Sequence, residues 1–135
     1  MNYLEHINYR LVSPPAALGT SGTVTSSWVD ANGLLSFNFL AEIGAVAEGK
    51  KIKLELLGAD NASGSDSAQI GVAEFTAPET ITGRALLIRG RPLPDYRYYA
   101  VKVTNVDASA TNCAISLVST PGYLTGDDNA PLIRV

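Results

Sequence analysis

Hydrophobic residues in this chain recur with a period of two, and that rhythm limits its fold more than any other feature. In KKIKLELLG (50–58), Ile52, Leu54 and Leu56 alternate with Lys51, Lys53 and Glu55, the pattern of a strand with one face buried and one in water. In GLLSFNFLAEIG (33–44), Leu35, Phe37 and Phe39 alternate with Ser36 and Asn38. In YYAVKVTNV (98–106), Tyr99, Val101 and Val103 alternate with Ala100, Lys102 and Thr104. Cys113, Ile115 and Leu117 share one face of NCAISLVS (112–119). Weaker candidates pair Val24 with Trp28, Ile70 with Val72, and Leu86 with Ile88. About seven strands follow, punctuated by Gly, Pro, Asn, Asp and Ser. No ten-residue segment carries a helical stripe.

Such a succession predicts an all-β fold, a two-sheet antiparallel sandwich of immunoglobulin-like or jelly-roll type. One cysteine in the chain removes the Cys…Trp…Cys framework of a true immunoglobulin domain. A length of 135 residues suits one domain, large enough to fold without a disulfide or metal staple. The β-sandwich is expected over 23–120, between an extended N-terminal arm (1–22) and a C-terminal tail (121–135). Tyr3, Leu4, Ile7, Tyr9, Leu11 and Val12 precede Pro14-Pro15, and the tail closes on PLIRV. Segments so rich in large apolar residues are not disordered by composition. They are expected to pack on a neighbouring subunit or another protein, the alternative being an extra edge strand of the same domain.

Charged residues make up 17% of the chain, below the average of about 25%, and their place is taken by small polar residues. A net charge of −3 gives no basic face for nucleic acid, and no apolar run approaches the roughly 20 residues of a membrane span. The start, MNYLEHINYRLVSPP, places Glu5 and His6 where a secretory leader would have its apolar core, so synthesis and retention in a cytosol are expected. Cys113 falls on the apolar parity of its strand and reads as a buried, inert thiol.

The stretch GADNASGSDSAQIG (58–71) is the most polar loop in the chain. It fails the register of an EF-hand, because Asp60 is followed at alternate positions by Ala62 and Gly64. Asp60, Asn61 and Asp66 would make only a weak calcium site, and turns select these residue types anyway. His6 is far in sequence from any serine in a strained elbow, and no nucleophile, metal or phosphate motif occurs. Accordingly no catalytic, cofactor or metal residue is expected, and the chain is read as not an enzyme.

The unusual charged stretch is RALLIRGRPLPDYRYY (84–99), which holds Arg84, Arg89, Arg91 and Arg97. Pro92 and Pro94 interrupt any ladder there, predicting an exposed loop or sheet edge. Arginine with tyrosine is an interface composition. On strand alternation Tyr99 goes inward with Val101, leaving Tyr98 as the interface residue.

Two segments carry a resemblance. LELLGADNASGS (54–65), a strand followed by an Asp/Asn–Ser/Gly loop, and PDYRYYAVKVTNV (94–106), a basic aromatic segment leading into a Val/Thr strand, resemble the capsid cement, or decoration, proteins of tailed bacteriophages. The family is typified by the Bordetella phage cementing protein, and the likeness covers 24–120. The arm and tail depart from it. The resemblance implies a jelly-roll that forms a homotrimer on the outer surface of the virion capsid and clamps neighbouring major capsid protein subunits, after synthesis in the host cytoplasm. In that reading Tyr3, Leu4, Ile7 and Tyr9 would contact the capsid or an adjacent protomer. Arg89, Arg91 and Arg97, with Tyr98, would meet acidic partner surfaces. The alternative is a carbohydrate-binding sandwich of a phage fibre or appendage, with Trp28, Tyr96 and Tyr98 as its aromatic platform.

Overall fold

The computed structural model describes residues 8–121. Its strands are β1 (Asn8–Leu18), β2 (Thr23–Thr25), β3 (Val29–Asp30), β4 (Leu34–Ile43), β5 (Lys51–Ala59), β6 (Ala68–Thr76), β7 (Arg84–Gly90), β8 (Tyr98–Asn105) and β9 (Thr111–Pro121). They form two antiparallel sheets: sheet A in the order β1-β9-β4-β7, and sheet B in the order β2-β8-β5-β6, with β3 also on β8. Among the described residues there is no helix, hence none long and apolar enough to cross a membrane.

β2 and β3 act as one interrupted strand. Both pair with β8, at Thr23–Thr25 and then at Val29–Asp30. Between them the Ser26 N–H donates to the Val101 carbonyl (2.9 Å) and the Ser26 hydroxyl accepts from the Val101 N–H (3.0 Å). With that strand counted once, the pairs nest as β1–β9, β2/β3–β8, β4–β7 and β5–β6, and alternate between sheets A and B. A long hairpin rolled in this way is a jelly-roll.

The core is made by the alternation expected from sequence. Phe37, Phe39, Ala41 and Ile43 of β4 and Cys113, Ile115 and Leu117 of β9 face Ile52, Leu54, Tyr99, Val101 and Val103 of sheet B. The Phe37 and Tyr99 rings meet across the gap, their centroids 4.5 Å apart, a spacing at which aromatic pairs add to area burial. Among the described residues one polar side chain, Asn105, lies wholly inside: it donates to the Leu18 and Ser109 carbonyls (3.4 and 3.3 Å) and accepts from the Ala108 N–H (2.8 Å). It thereby ties the end of β1 to the β8–β9 turn.

Four expectations need correction. Asn8–Leu18 is not an arm over that length; it pairs with β9 as the edge strand of sheet A and sends Val12 and Leu18 into the core. Leu35 is 65% exposed rather than inward, because a register shift between Leu34 and Ser36 reverses parity at the start of β4. Val72 faces solvent opposite Glu55, because a shift between Leu56 and Leu57 makes Ile70 the extra residue that packs on the core instead. Trp28 is half-buried and outside the core: it falls in the gap between β2 and β3, and its ring lies against Gly64. The expected sites Tyr3, Leu4 and Ile7, and the tail beyond Pro121, lie outside the described residues.

Candidate functional site

The pairing register places Tyr9 and Arg89, one residue from each of two separately expected surfaces, on one face. On the solvent side of sheet A, one cross-strand row runs Tyr9–Val118–Asn38–Arg89, and the next runs Leu11–Ser116–Leu40–Leu87. Leu11 and Leu87 are 57% and 50% exposed. Row positions flanking these are Ser36 with Thr120, and Ala114, Glu42 and Ala85. Among the described residues in these rows, only Glu42 and Arg89 carry charge. The solvent side of sheet B is different: Lys51, Lys53, Glu55, Glu74 and Lys102 stand on it, with Lys51–Glu74 and Lys53–Glu55 ion pairs at 3.8 and 3.5 Å. A charged face is hydrated at little cost, whereas an exposed apolar face marks a contact surface.

Sequence reasoning missed this face, although a signal was present. Strands with one wet face alternate strictly, yet Leu86-Leu87-Ile88 and Leu117-Val118 place apolar residues on both parities.

The four arginines of the 84–99 segment take three placements. Arg84 lies over the Phe75 ring, 5.1 Å from its centroid. Arg97 donates to both Asp30 oxygens, at 3.0 and 2.9 Å, and sits 5.4 Å from the Tyr98 ring centroid. That fork holds the Asp30 carboxyl below the ordinary carboxylate range, helped by the Asn32 N–H and opposed by slight burial. Among the described residues Arg89 and Arg91 form no ion pair. They line a cleft of about 670 Å³ at the end of β7, with Leu35, Ser36, Asn38 and Gly90 on the sheet A side and Leu56, Ile70 and Tyr99 on the sheet B side.

The polar loop that drew attention in the sequence is closed upon itself. The Asp66 carboxylate accepts from the Asp60 and Asn61 N–H groups (3.2 Å each), and the Asn61 side chain accepts from the Ser63 N–H and hydroxyl (2.9 Å each). Gly64 takes φ +72° at its tip, so these oxygens shape a turn, the ordinary work of Asx residues. Among the described residues no three metal-ligating side chains cluster. Cys113 is buried, and burial pushes its thiol up to about 11.

The three aromatics expected for sugar binding each meet a different neighbour. Trp28 lies on Gly64, the Tyr96 ring lies against Gly58 and edge-on to Tyr99, and Tyr98 is paired with Arg97.

No protein-family model and no curated protein matches this chain by sequence. Among solved structures, the PBSX exported protein XepA aligns with a TM-score of 0.62 at 15% identity, over 100% of this chain and 45% of that one. The chain therefore spans less than half the length of XepA, and at this identity the likeness is one of fold. A CBM4 structure aligns at TM-score 0.49 and 12% identity, over 84% of this chain and 70% of that one. The enzymatically active domain of bacteriophage CBA120 tailspike protein 4 aligns at 0.48 and 7%, over 84% and 19%.

Proposed function

We propose that this chain is a structural protein of a phage particle, docking through the solvent face of sheet A. In its finer form the proposal is that it sits as a homotrimer on the outside of the capsid and holds neighbouring major capsid protein subunits together. No catalytic activity is assigned to it. The observation that carries the proposal is the contrast between the two sheet faces: sheet B is laced with charge, while sheet A offers Leu11, Leu40, Leu87 and Val118 between Tyr9 and Arg89. An interface centre is depleted of charge and enriched in tyrosine and arginine. Four strands and four rows cover on the order of 400 Å², from the strand and residue spacings. That is below the about 800 Å² per partner of a stable interface, so one copy would bind weakly. Three linked copies raise the effective concentration at each contact, which favours the trimer.

The test is light scattering followed by co-sedimentation with undecorated phage heads. The expected result is a mass near three times 14.2 kDa and a bound protein that L11K/L87K releases without loss of fold. A monomer that ignores the heads, or a variant that binds as well as the parent, overturns the proposal.

A further inference from the structure

The cleft at the end of β7 exists because sheet A loses a strand there. β7 stops at Gly90, opposite Phe37, while β4 continues N-terminally through Ser36 and Leu34 beside β9 alone. The stop is built in. A Cβ on Gly90 would stand 2.4 Å from the Phe37 ring, and Pro92, with no N–H, follows two residues later. Beyond that point the two sheets are not closed against each other. The register shift in β6 turns Ile70 inward beside Leu56, and Leu93 is anchored over Tyr99 by its N–H, which donates to the Tyr99 hydroxyl at 2.7 Å. The resulting hollow has an apolar floor and one basic wall, with Arg89 and Arg91 both exposed.

We infer that this cleft takes an extended acidic and aliphatic peptide segment of the protein on which sheet A docks. An aliphatic side chain would rest on Leu56, Ile70 and Leu93, with a neighbouring carboxylate between Arg89 and Arg91. The volume lies in the range of specific ligand pockets, about 300–1,000 Å³. Charge complementarity selects the anion: Arg84 and Arg97 are engaged by Phe75 and Asp30, while Arg89 and Arg91 have no ion pair among the described residues. A guanidinium recognises a carboxylate with a planar fork, so two of them favour an acidic side chain over a neutral one. Continuity selects a protein segment, since Asn38 and Arg89 belong both to the cleft and to the docking row. The inference rests on the docking reading and names the chemistry of its partner.

The test is a titration of the full-length, ¹⁵N-labelled chain with acetyl-Leu-Asp-Leu-amide, its Asn counterpart and decanoate, read by amide chemical shifts. The Asp peptide should shift the Ile70, Gly90 and Leu93 amides with a dissociation constant on the order of 1 mM, the weak range for a ligand of three residues. R89Q/R91Q should weaken it at least about tenfold, the scale of one lost charge-assisted bond, with the remaining spectrum unmoved. Three outcomes overturn the inference: no shift up to roughly ten times that concentration, equal shifts with the Asn peptide, or tighter binding of decanoate than of the Asp peptide. The two readings fail separately. Loss of head binding in L11K/L87K but not in R91Q, whose residue lines the cleft but lies outside the docking row, leaves the docking face standing and removes the cleft; a cleft titrated as expected beside indifferent heads does the reverse.

Discussion

Tyr9 on β1 and Arg89 on β7 occupy the two ends of one cross-strand row of sheet A, with Val118 and Asn38 between them. They lie 80 positions apart in the chain, yet the sheet order β1-β9-β4-β7 sets them about three strand spacings apart, roughly 14 Å. Y9A and R89A should each weaken particle binding by about 1 kcal/mol or more. At that separation their effects should add to within about 0.5 kcal/mol. A double-mutant cycle on co-sedimentation measures this, and a larger coupling means that the two side chains do not contact separate parts of the partner.

Asn105 is the buried polar clasp of the fold. N105A leaves the Leu18 carbonyl and the Ala108 N–H without their partner inside the protein. Each unsatisfied buried group costs about 1–3 kcal/mol, so the variant should lose about 2–6 kcal/mol in urea unfolding. A loss under about 0.5 kcal/mol would show that this junction opens to water readily.

Gly64 is required twice over, by its φ of +72° and by the Trp28 ring, which a Cβ would approach to 2.2 Å. G64A should destabilise the chain by about 1–3 kcal/mol and displace the ring. Trp28 is the sole tryptophan, so its emission should move to longer wavelength while the β signal in circular dichroism stays.

The Asp30–Arg97 fork gives a pH dependence of known sign. The carboxyl is held below its ordinary value, chiefly by Arg97. The folded state therefore binds its proton less readily than the unfolded chain. Its contribution is present above the unfolded carboxylate pKa near 3.9 and is lost as pH falls through the lower folded value. The pair is exposed, so D30N should cost less than about 1 kcal/mol at pH 7, and the difference between parent and variant should shrink as pH falls below the unfolded carboxylate value and through the lowered folded one. A constant difference over that range would mean that Asp30 acts through its Asn32 N–H contact alone.

Cys113 should resist modification. With its thiol pushed up to about 11, about one molecule in a thousand is thiolate at pH 8, and the sulfur is buried. Iodoacetamide should label the native chain far more slowly than the urea-unfolded one. Rates within about tenfold of each other would place the β1–β9 pair among the readily opening parts of the fold.

Much of this molecule was legible in its sequence because strand alternation is local. A side chain two residues from a buried one returns to the same face whatever its neighbours do, and Phe37, Phe39, Ile52, Leu54, Tyr99, Val101, Val103, Ile115 and Leu117 all follow that rule into the core. The polar loop with Asp60 and Asp66 was equally readable as a turn, from residues that hydrogen-bond their own backbone. Leu35, Trp28 and the Ile70–Val72 pair escaped it, since each lies at or spans a bulge or a break where one extra residue inverts the parity beyond.

The candidate site was legible only in pieces. Tyr9 and the arginines of 84–99 could be marked as interface types from chemistry alone, but nothing local says that Tyr9 belongs to a strand, that Arg97 is held by Asp30, or that Leu11 and Leu87 share a face. Those facts follow from which strands pair and in what register. Composition and alternation determine which residues leave water; the rolled pairing of distant strands determines which residues left in water stand together, because hydrogen-bonded register joins positions that the chain itself keeps far apart.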